Sequence, residues 1–298
     1  MSHPDFSVAF HIGAHKTATS HLQRSISTQA ETLYAAGVAF LGPDHLRLPG
    51  QSVSALFGLK PAKPCVSDLI RTVRATCHRL VISEENFVGS LNSPRRKPMV
   101  CRYPDAAPRV DAVAQALGQK VDVFLGIRRP TAFVNSSYCQ QLMGGRIVRM
   151  AQYRRINPLE SVDWSDLVHR LRAMPGVGQL VVWCHEDYAT HFHAICAGLL
   201  GPVAADLVAP LNRRIHASLS AAAVAEVLHR HDLGETGNLG AAARKLLPVS
   251  DGYPPFDGFT VAEHAAGNAA YLAQIATIGA MPGVTLLDPL WASTAKRA

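Results

Sequence analysis

Nowhere in the 298 residues do two cysteines form a C-x-x-C pair. The six cysteines, at 65, 77, 101, 139, 184 and 196, are scattered. That spacing excludes a zinc ribbon or a thioredoxin-like redox motif and fits free thiols in a reducing compartment. The opening residues, MSHPDFSVAF, have neither the basic start nor the long apolar core of a secretory leader, so a cytoplasmic protein is expected. Long hydrophobic runs are also missing. The apolar stretch at residues 194–211 is broken by Gly201-Pro202 and Asp206 before it reaches the ~20 residues of a membrane span. Aromatic residues amount to 7%, with no aromatic-rich RNA-binding pattern, and nucleic acid is not an expected partner. Internal repeats and low-complexity tracts are absent as well.

What remains is a chain with 48% hydrophobic residues, enough to bury a core, and a formal charge of +7. The positive balance favours anionic ligands such as nucleotides, sulfated or phosphorylated substrates, or acidic surfaces. Its basic residues fall in small clusters, Arg95-Arg96-Lys97, Arg154-Arg155 and Arg213-Arg214, any of which could be a solvated face. Short runs rich in Val, Ile, Leu and Phe recur at residues 7–12, 37–41, 79–83, 121–127 and 180–184, between stretches of helical periodicity. This alternation predicts an α/β fold of three layers, a mainly parallel central sheet flanked by helices. Leu22, Ile26 and Leu33 share a helical face that stops at Gly37. Ser220 is a plausible N-cap for a later helix, with Leu219 stapled onto Val224. Residues 42–64 and 88–108, dense in Pro and Gly or in Pro and basic side chains, are expected to be long surface loops, the second a candidate lid over an acceptor. A single domain over residues 1–298 with a helical C-terminal part is the expected organisation.

One stretch carries chemistry. In FHIGAHKTATSHLQ, residues 10–23, a Gly, a Lys and several hydroxyls lie between an apolar run and a helical pattern. If the run is a strand, the backbone amides of residues 14–20 line a helix N-terminus, where unpaired N–H groups and the helix dipole favour an anion. Lys16 adds a mobile charge, and Thr17, Thr19 and Ser20 add hydroxyl donors, so phosphate or sulfate is the natural guest. A Walker A loop requires Gly directly before the Lys, and His15 stands there. His15 is a candidate lining residue of the same pocket.

This stretch resembles the opening motif of the sulfotransferase superfamily that uses PAPS (3′-phosphoadenosine 5′-phosphosulfate), in particular its bacterial branch. The matching positions are His11, Gly13, Lys16, Thr17, Thr19, Ser20, Leu22 and Gln23. Ala18 replaces the usual Gly and Ser20 the usual Thr. A second segment, VFLGIRRPTAFVNSSYCQ, is similar to the family's 3′-phosphate motif, which falls here on Arg128 at a strand end and Ser136 on the following helix. A third, RLVISEENF, looks like the segment that carries the family's catalytic carboxylate, which falls on Glu85, with Glu84 beside it. A weaker likeness runs through RRIHASLSAAAVAEV.

The resemblance implies a P-loop nucleoside-triphosphate-hydrolase-like fold and transfer of a sulfuryl group from PAPS, as co-substrate, to a hydroxyl of a small-molecule or carbohydrate acceptor. It implies that Gly13, His15, Lys16, Thr17, Ala18, Thr19, Ser20, Arg128 and Ser136 hold the nucleotide. It also implies that Lys16 and Glu85 are catalytic and that no metal is needed. His11, His15 and His21 do not combine into a metal-ligand set on these element assignments. Two other functions fit parts of the pattern. One is a Mg/ATP-dependent P-loop kinase, which would use LVISEE as a metal-binding strand. The other is a non-catalytic nucleotide- or RNA-binding module.

Overall fold

The computed structural model describes residues 6–59, 66–93, 97–212 and 218–295. The clusters at Arg95-Arg96 and Arg213-Arg214, Cys65, and part of RRIHASLSAAAVAEV lie outside the described residues. Six strands form one sheet in the order β2-β3-β1-β4-β5-β6: β1 Ser7–Gly13, β2 Val38–Leu41, β3 Arg79–Ser83, β4 Val121–Ile127, β5 Val177–Cys184 and β6 Val284–Leu286. Every pairing is parallel. Both faces are covered, so the strands alternate between two apolar layers rather than between core and water. On one face, Phe10, Ile12, Ile82, Val123 and Ile127 pack with Phe133, Trp164 and Tyr271 of the helices Pro130–Met143, Trp164–Arg172 and Val261–Gly279. On the other, Ala9, Val81, Phe124 and Trp183 pack with Leu22 and Ile26 of Thr19–Ser27 and with Phe192 and Leu199 of Tyr188–Leu200. The result is the expected three-layer α/β arrangement.

In an all-parallel sheet every strand delivers its following loop to the same edge. From β1 the chain crosses to β2 at one edge and returns to β3 beside β1, whereas from β4 it runs outward to β5 and β6 on the other side. The gap between β1 and β4 is therefore a topological switch point, the place where open α/β sheets leave a crevice for a ligand. The loops after β1 and β4 flank it.

Several expectations need correction. The helix after β1 is two helices, Thr19–Ser27 and Ala30–Ala35, separated at Thr28-Gln29, although Leu22, Ile26 and Leu33 do share one buried layer. Hydroxyls compete with the backbone at the break: Ser25 donates to the His21 carbonyl (2.8 Å) and Thr28 to the Ser25 carbonyl (2.7 Å). Of residues 42–64, expected as a surface loop, residues 60–64 lie outside the described residues and 42–59 are partly helical. Pro43–Leu46 and Val53–Leu56 are short helices that bury Leu46, Val53, Leu56 and Phe57. Within 88–108, Arg102 and Tyr103 are 1% exposed, so this segment is partly core as well. Ser220 caps as expected, accepting the Ala223 N–H at 2.9 Å.

Candidate functional site

Three loops meet at the carboxyl edge of the sheet. The first leaves β1 at Gly13 and enters the helix Thr19–Ser27 through Ala18, which occupies the N-cap position with φ 66° and offers no side-chain cap. No acidic residue lies in the first turn. The helix thus presents uncapped N–H groups and the positive end of its dipole, the electrostatics of an anion site. Lys16, at φ 64°, is also left-handed. Such a conformation costs a non-glycine residue about 1–2 kcal/mol. Replacing Ala18 with Gly is therefore expected to stabilise the fold by about 1 kcal/mol, a rise that urea unfolding would detect.

Arg128 holds the Lys16 main chain, and its charge acts on the Lys16 amine. Arg128, directly after β4, donates through Nη1 to the Lys16 carbonyl at 2.9 Å, while the Lys16 Nζ donates to Gln140 Oε1 at 3.3 Å. Gln140 lies one turn beyond Ser136 on the helix Pro130–Met143, so the two residues project from the same helical face. Burial, and then the positive charge of Arg128, hold the Lys16 amine below the ordinary lysine range. The Nε of Arg128 is buried and has no partner among the described residues. Two crowded cations and an unspent buried donor are an arrangement that an oxyanion would relieve.

The other loop residues divide by what their side chains already do. Thr17 is buried and donates its hydroxyl to the Ala14 carbonyl at 2.6 Å, which leaves its oxygen lone pairs as the free capacity. It lies against Gly126 of β4, where an added Cβ would stand 2.9 Å from Thr17 Oγ1. Thr19 is buried and Ser20 half-buried at the start of the helix. His15 differs from the expectation of a pocket-lining side chain. Its Nδ1 lies 2.9 Å from the Tyr103 hydroxyl, its Nε2 lies 3.1 Å from Asn86 Oδ1, and its backbone N–H also donates to Tyr103. The ring stacks on Tyr103, and burial keeps it neutral by lowering its pKa. His15 pins the loop rather than offering itself to a ligand.

The second loop, after β3, brings the carboxylates. Gly13 packs directly on Glu85: a Cβ at Gly13 would meet the Glu85 Cβ at 2.9 Å, and its φ of 98° also demands Gly. Glu85 is buried. Its Oε2 accepts from Gln23 (2.9 Å) and its Oε1 from Arg47 (2.9 Å). Burial by itself would raise its pKa, but the Gln23 bond, a backbone bond and the nearby Arg47 charge hold it below the usual carboxylate range. Glu85 is therefore ionised at neutral pH. Glu84 converges on the same guanidinium, pairing fork to fork with Arg47 through Nε and Nη2, both at 2.9 Å.

The three histidines of the opening stretch turn to different partners: His11 to Ser83, His15 to Tyr103 and Asn86, and His21 to Tyr188 and the Leu211 carbonyl. Among the described residues no group of three or more His, Cys, Asp or Glu could hold a metal ion. His11 also stacks on Trp183, and its burial lowers its pKa from 6.5 to about 4, against a smaller opposing pull from Glu85. A histidine whose folded pKa is lowered costs stability as pH falls, because the unfolded chain takes a proton that the folded one refuses. The displacement corresponds to roughly 3 kcal/mol, lost between pH 6.5 and 4. Urea unfolding should show that loss, and His11→Asn should reduce it. Glu85, with an unfolded pKa near 4.5, contributes only at the acid end of that window and below it.

Residues that sequence reasoning missed complete the site. They are Arg47, Tyr103, Asn86 and Gln140, together with His185, whose pKa burial and the charge of Arg128 lower to about 4. No family model matches the chain, and no curated protein does. Among solved structures it is similar to a sulfotransferase from Alicyclobacillus acidocaldarius, at 16% identity over 82% of this chain and 97% of that one, with a TM-score of 0.42.

Proposed function

We propose that the protein is a PAPS-dependent sulfotransferase acting on a hydroxyl acceptor. The observation that carries this reading is the junction of Arg128 and Lys16. The guanidinium is bonded to the Lys16 carbonyl and keeps a buried, unspent Nε, at the switch point between β1 and β4. Arg128 and Ser136 would hold a 3′-phosphate. The uncapped N–H groups at the start of Thr19–Ser27, with Gly13, Thr17, Ala18, Thr19 and Ser20, would hold the 5′-phosphosulfate. His15 supports that loop from behind.

When bound, PAPS supplies the sulfuryl group: the acceptor oxygen bonds to sulfur as the bond from sulfur to the bridging phosphate oxygen breaks, leaving adenosine 3′,5′-bisphosphate (PAP). Lys16 neutralises the charge that develops on the bridging oxygen. Glu85, ionised and fixed by Gln23 and Arg47, takes the acceptor proton. Catalysis is mainly positioning and neutralisation, for which preformed donors are suited. The test is transfer of label from sulfur-labelled PAPS to a pool of hydroxyl compounds with a chelator present. Label should appear in an ester product without added divalent ions. Product formed from ATP, and only with magnesium, would favour the kinase instead.

A further inference from the structure

His11 belongs to the opening motif, yet the proposed mechanism gives it no task. It is buried in β1, stacks on Trp183, and carries an Nε2 with no partner among the described residues. A phenylalanine would make the same stack without burying an unpartnered polar atom. Packing therefore does not account for a histidine here, and the other ring nitrogen does.

Nδ1 lies 2.7 Å from Ser83 Oγ, because the strand register sets His11 of β1 opposite Ser83 of β3. Ser83 Oγ also accepts from Gln23 Nε2 at 3.2 Å, and the same amide nitrogen donates to Glu85 Oε2 at 2.9 Å. Ser83 and Gln23 are buried, so water does not compete for these groups. A count of hydrogens gives the chain a direction. One amide hydrogen of Gln23 serves Glu85, and the other serves Ser83, shared between its hydroxyl and its carbonyl at 3.4 Å. Ser83 Oγ has only His11 and Gln23 as partners among the described residues, so its own hydrogen goes to His11 Nδ1. Burial lowers the His11 pKa to about 4, which leaves the ring neutral and Nδ1 able to accept at neutral pH.

We infer that His11 and Ser83 are positioning residues for Glu85, acting through Gln23. A side-chain amide can turn over in place and exchange its N–H donors for its carbonyl oxygen. Turned over, Gln23 would set that oxygen against the Glu85 carboxylate. Ser83 keeps the amide the right way round only while its own hydrogen is held by His11. A hydroxyl deprived of Nδ1 would turn its hydrogen toward Gln23 and draw the amide oxygen to itself, away from the orientation Glu85 needs. The same network joins Glu85 to the helix Thr19–Ser27, whose N-terminus would hold the phosphosulfate, so base and donor share one frame. That Glu85 is a base rests on the sulfotransferase reading; that His11 orients it does not.

Carbon-13 NMR titration of the Glu85 carboxyl, in the full chain labelled at glutamate and assigned with Glu85→Gln, tests this without PAPS or acceptor. Ser83→Ala should raise the midpoint by about half a pH unit or more, and so should His11→Phe, which keeps the stack on Trp183. His11→Asn, whose Oδ1 can stand in for Nδ1, should lie closer to the parent than His11→Phe. In sulfuryl transfer to pooled hydroxyl compounds, Ser83→Ala and His11→Phe should each lower kcat about fivefold with KM for PAPS within twofold, and His11→Asn should recover most of the loss. A midpoint unmoved by either substitution, an asparagine variant further from the parent than the phenylalanine one, or an unchanged kcat in a chain that transfers label would overturn the proposal. Shifted midpoints in a chain that transfers no label from PAPS would leave Glu85 oriented as inferred and count against the sulfotransferase reading alone.

Discussion

Lys16→Ala should lower kcat for sulfuryl transfer about a hundredfold or more while weakening PAP binding less than tenfold. The asymmetry follows from where the ammonium sits. In the ground state several groups share the phosphosulfate charge: the uncapped amides of Thr19–Ser27, the loop hydroxyls and Arg128. The charge on the bridging oxygen appears only as the bond to sulfur breaks, and Lys16 is the mobile cation of that loop, loosely tethered by Gln140. Its depressed pKa, from burial and from Arg128, means that the amine is crowded until an anion arrives. Gln140→Ala should have a much smaller effect, since it removes a tether and not a charge. Steady-state kinetics with PAPS, paired with calorimetry on PAP, separates the two effects. A Lys16→Ala enzyme with kcat within threefold of the parent would remove Lys16 from the chemistry.

Arg128→Ala should cost about a hundredfold in PAP affinity and leave AMP affinity within threefold. Charge-assisted bonds to phosphate are worth about 1.5–3 kcal/mol each, and the Arg128 fork offers a buried Nε and whatever Nη1 and Nη2 can spare. AMP lacks the 3′-phosphate and serves as the internal control. Arg128 also holds the Lys16 carbonyl, so a collapsed loop would weaken both nucleotides, whereas a lost phosphate contact weakens only PAP. Arg128→Lys keeps a charge without the planar fork and should recover only part of the difference. A parallel loss for the two nucleotides would make Arg128 a loop brace and nothing more.

How far the sequence revealed these features depends on whether the determining contacts are local. β1, β3 and β4 were legible because strands buried on both faces are written as continuous apolar runs. β6 was not: Val284–Leu286 is three residues long, at the sheet edge, and nowhere fully buried. The start of β5 is hidden in the sequence by Gly178 and Gln179, a small and a polar residue at its less buried end. Pro and Gly in residues 42–64 read as a loop, yet Pro43 occupies the first turn of a helix, where its missing N–H costs nothing. At the site, Lys16, Arg128 and Glu85 were visible because each sits at a strand end in its own local pattern. Arg47 was not, since its importance lies in carboxylates 37 and 38 residues away. The position of His15 in the loop points to the pocket, whereas the ring's partner, Tyr103, is 88 residues distant and leaves no local signal. Gln23, a bare motif match in the sequence, gains a physical reason from the bond that joins the loop helix to Glu85.

The most direct measurement is calorimetric titration of the unmodified protein with PAP and with AMP under one buffer and salt. If Arg128, Ser136 and the β1 loop grip the two ends of one donor, PAP binds at least tenfold more tightly than AMP. Equal affinities would mean that no group in the crevice recognises a 3′-phosphate, and the sulfotransferase reading would be wrong.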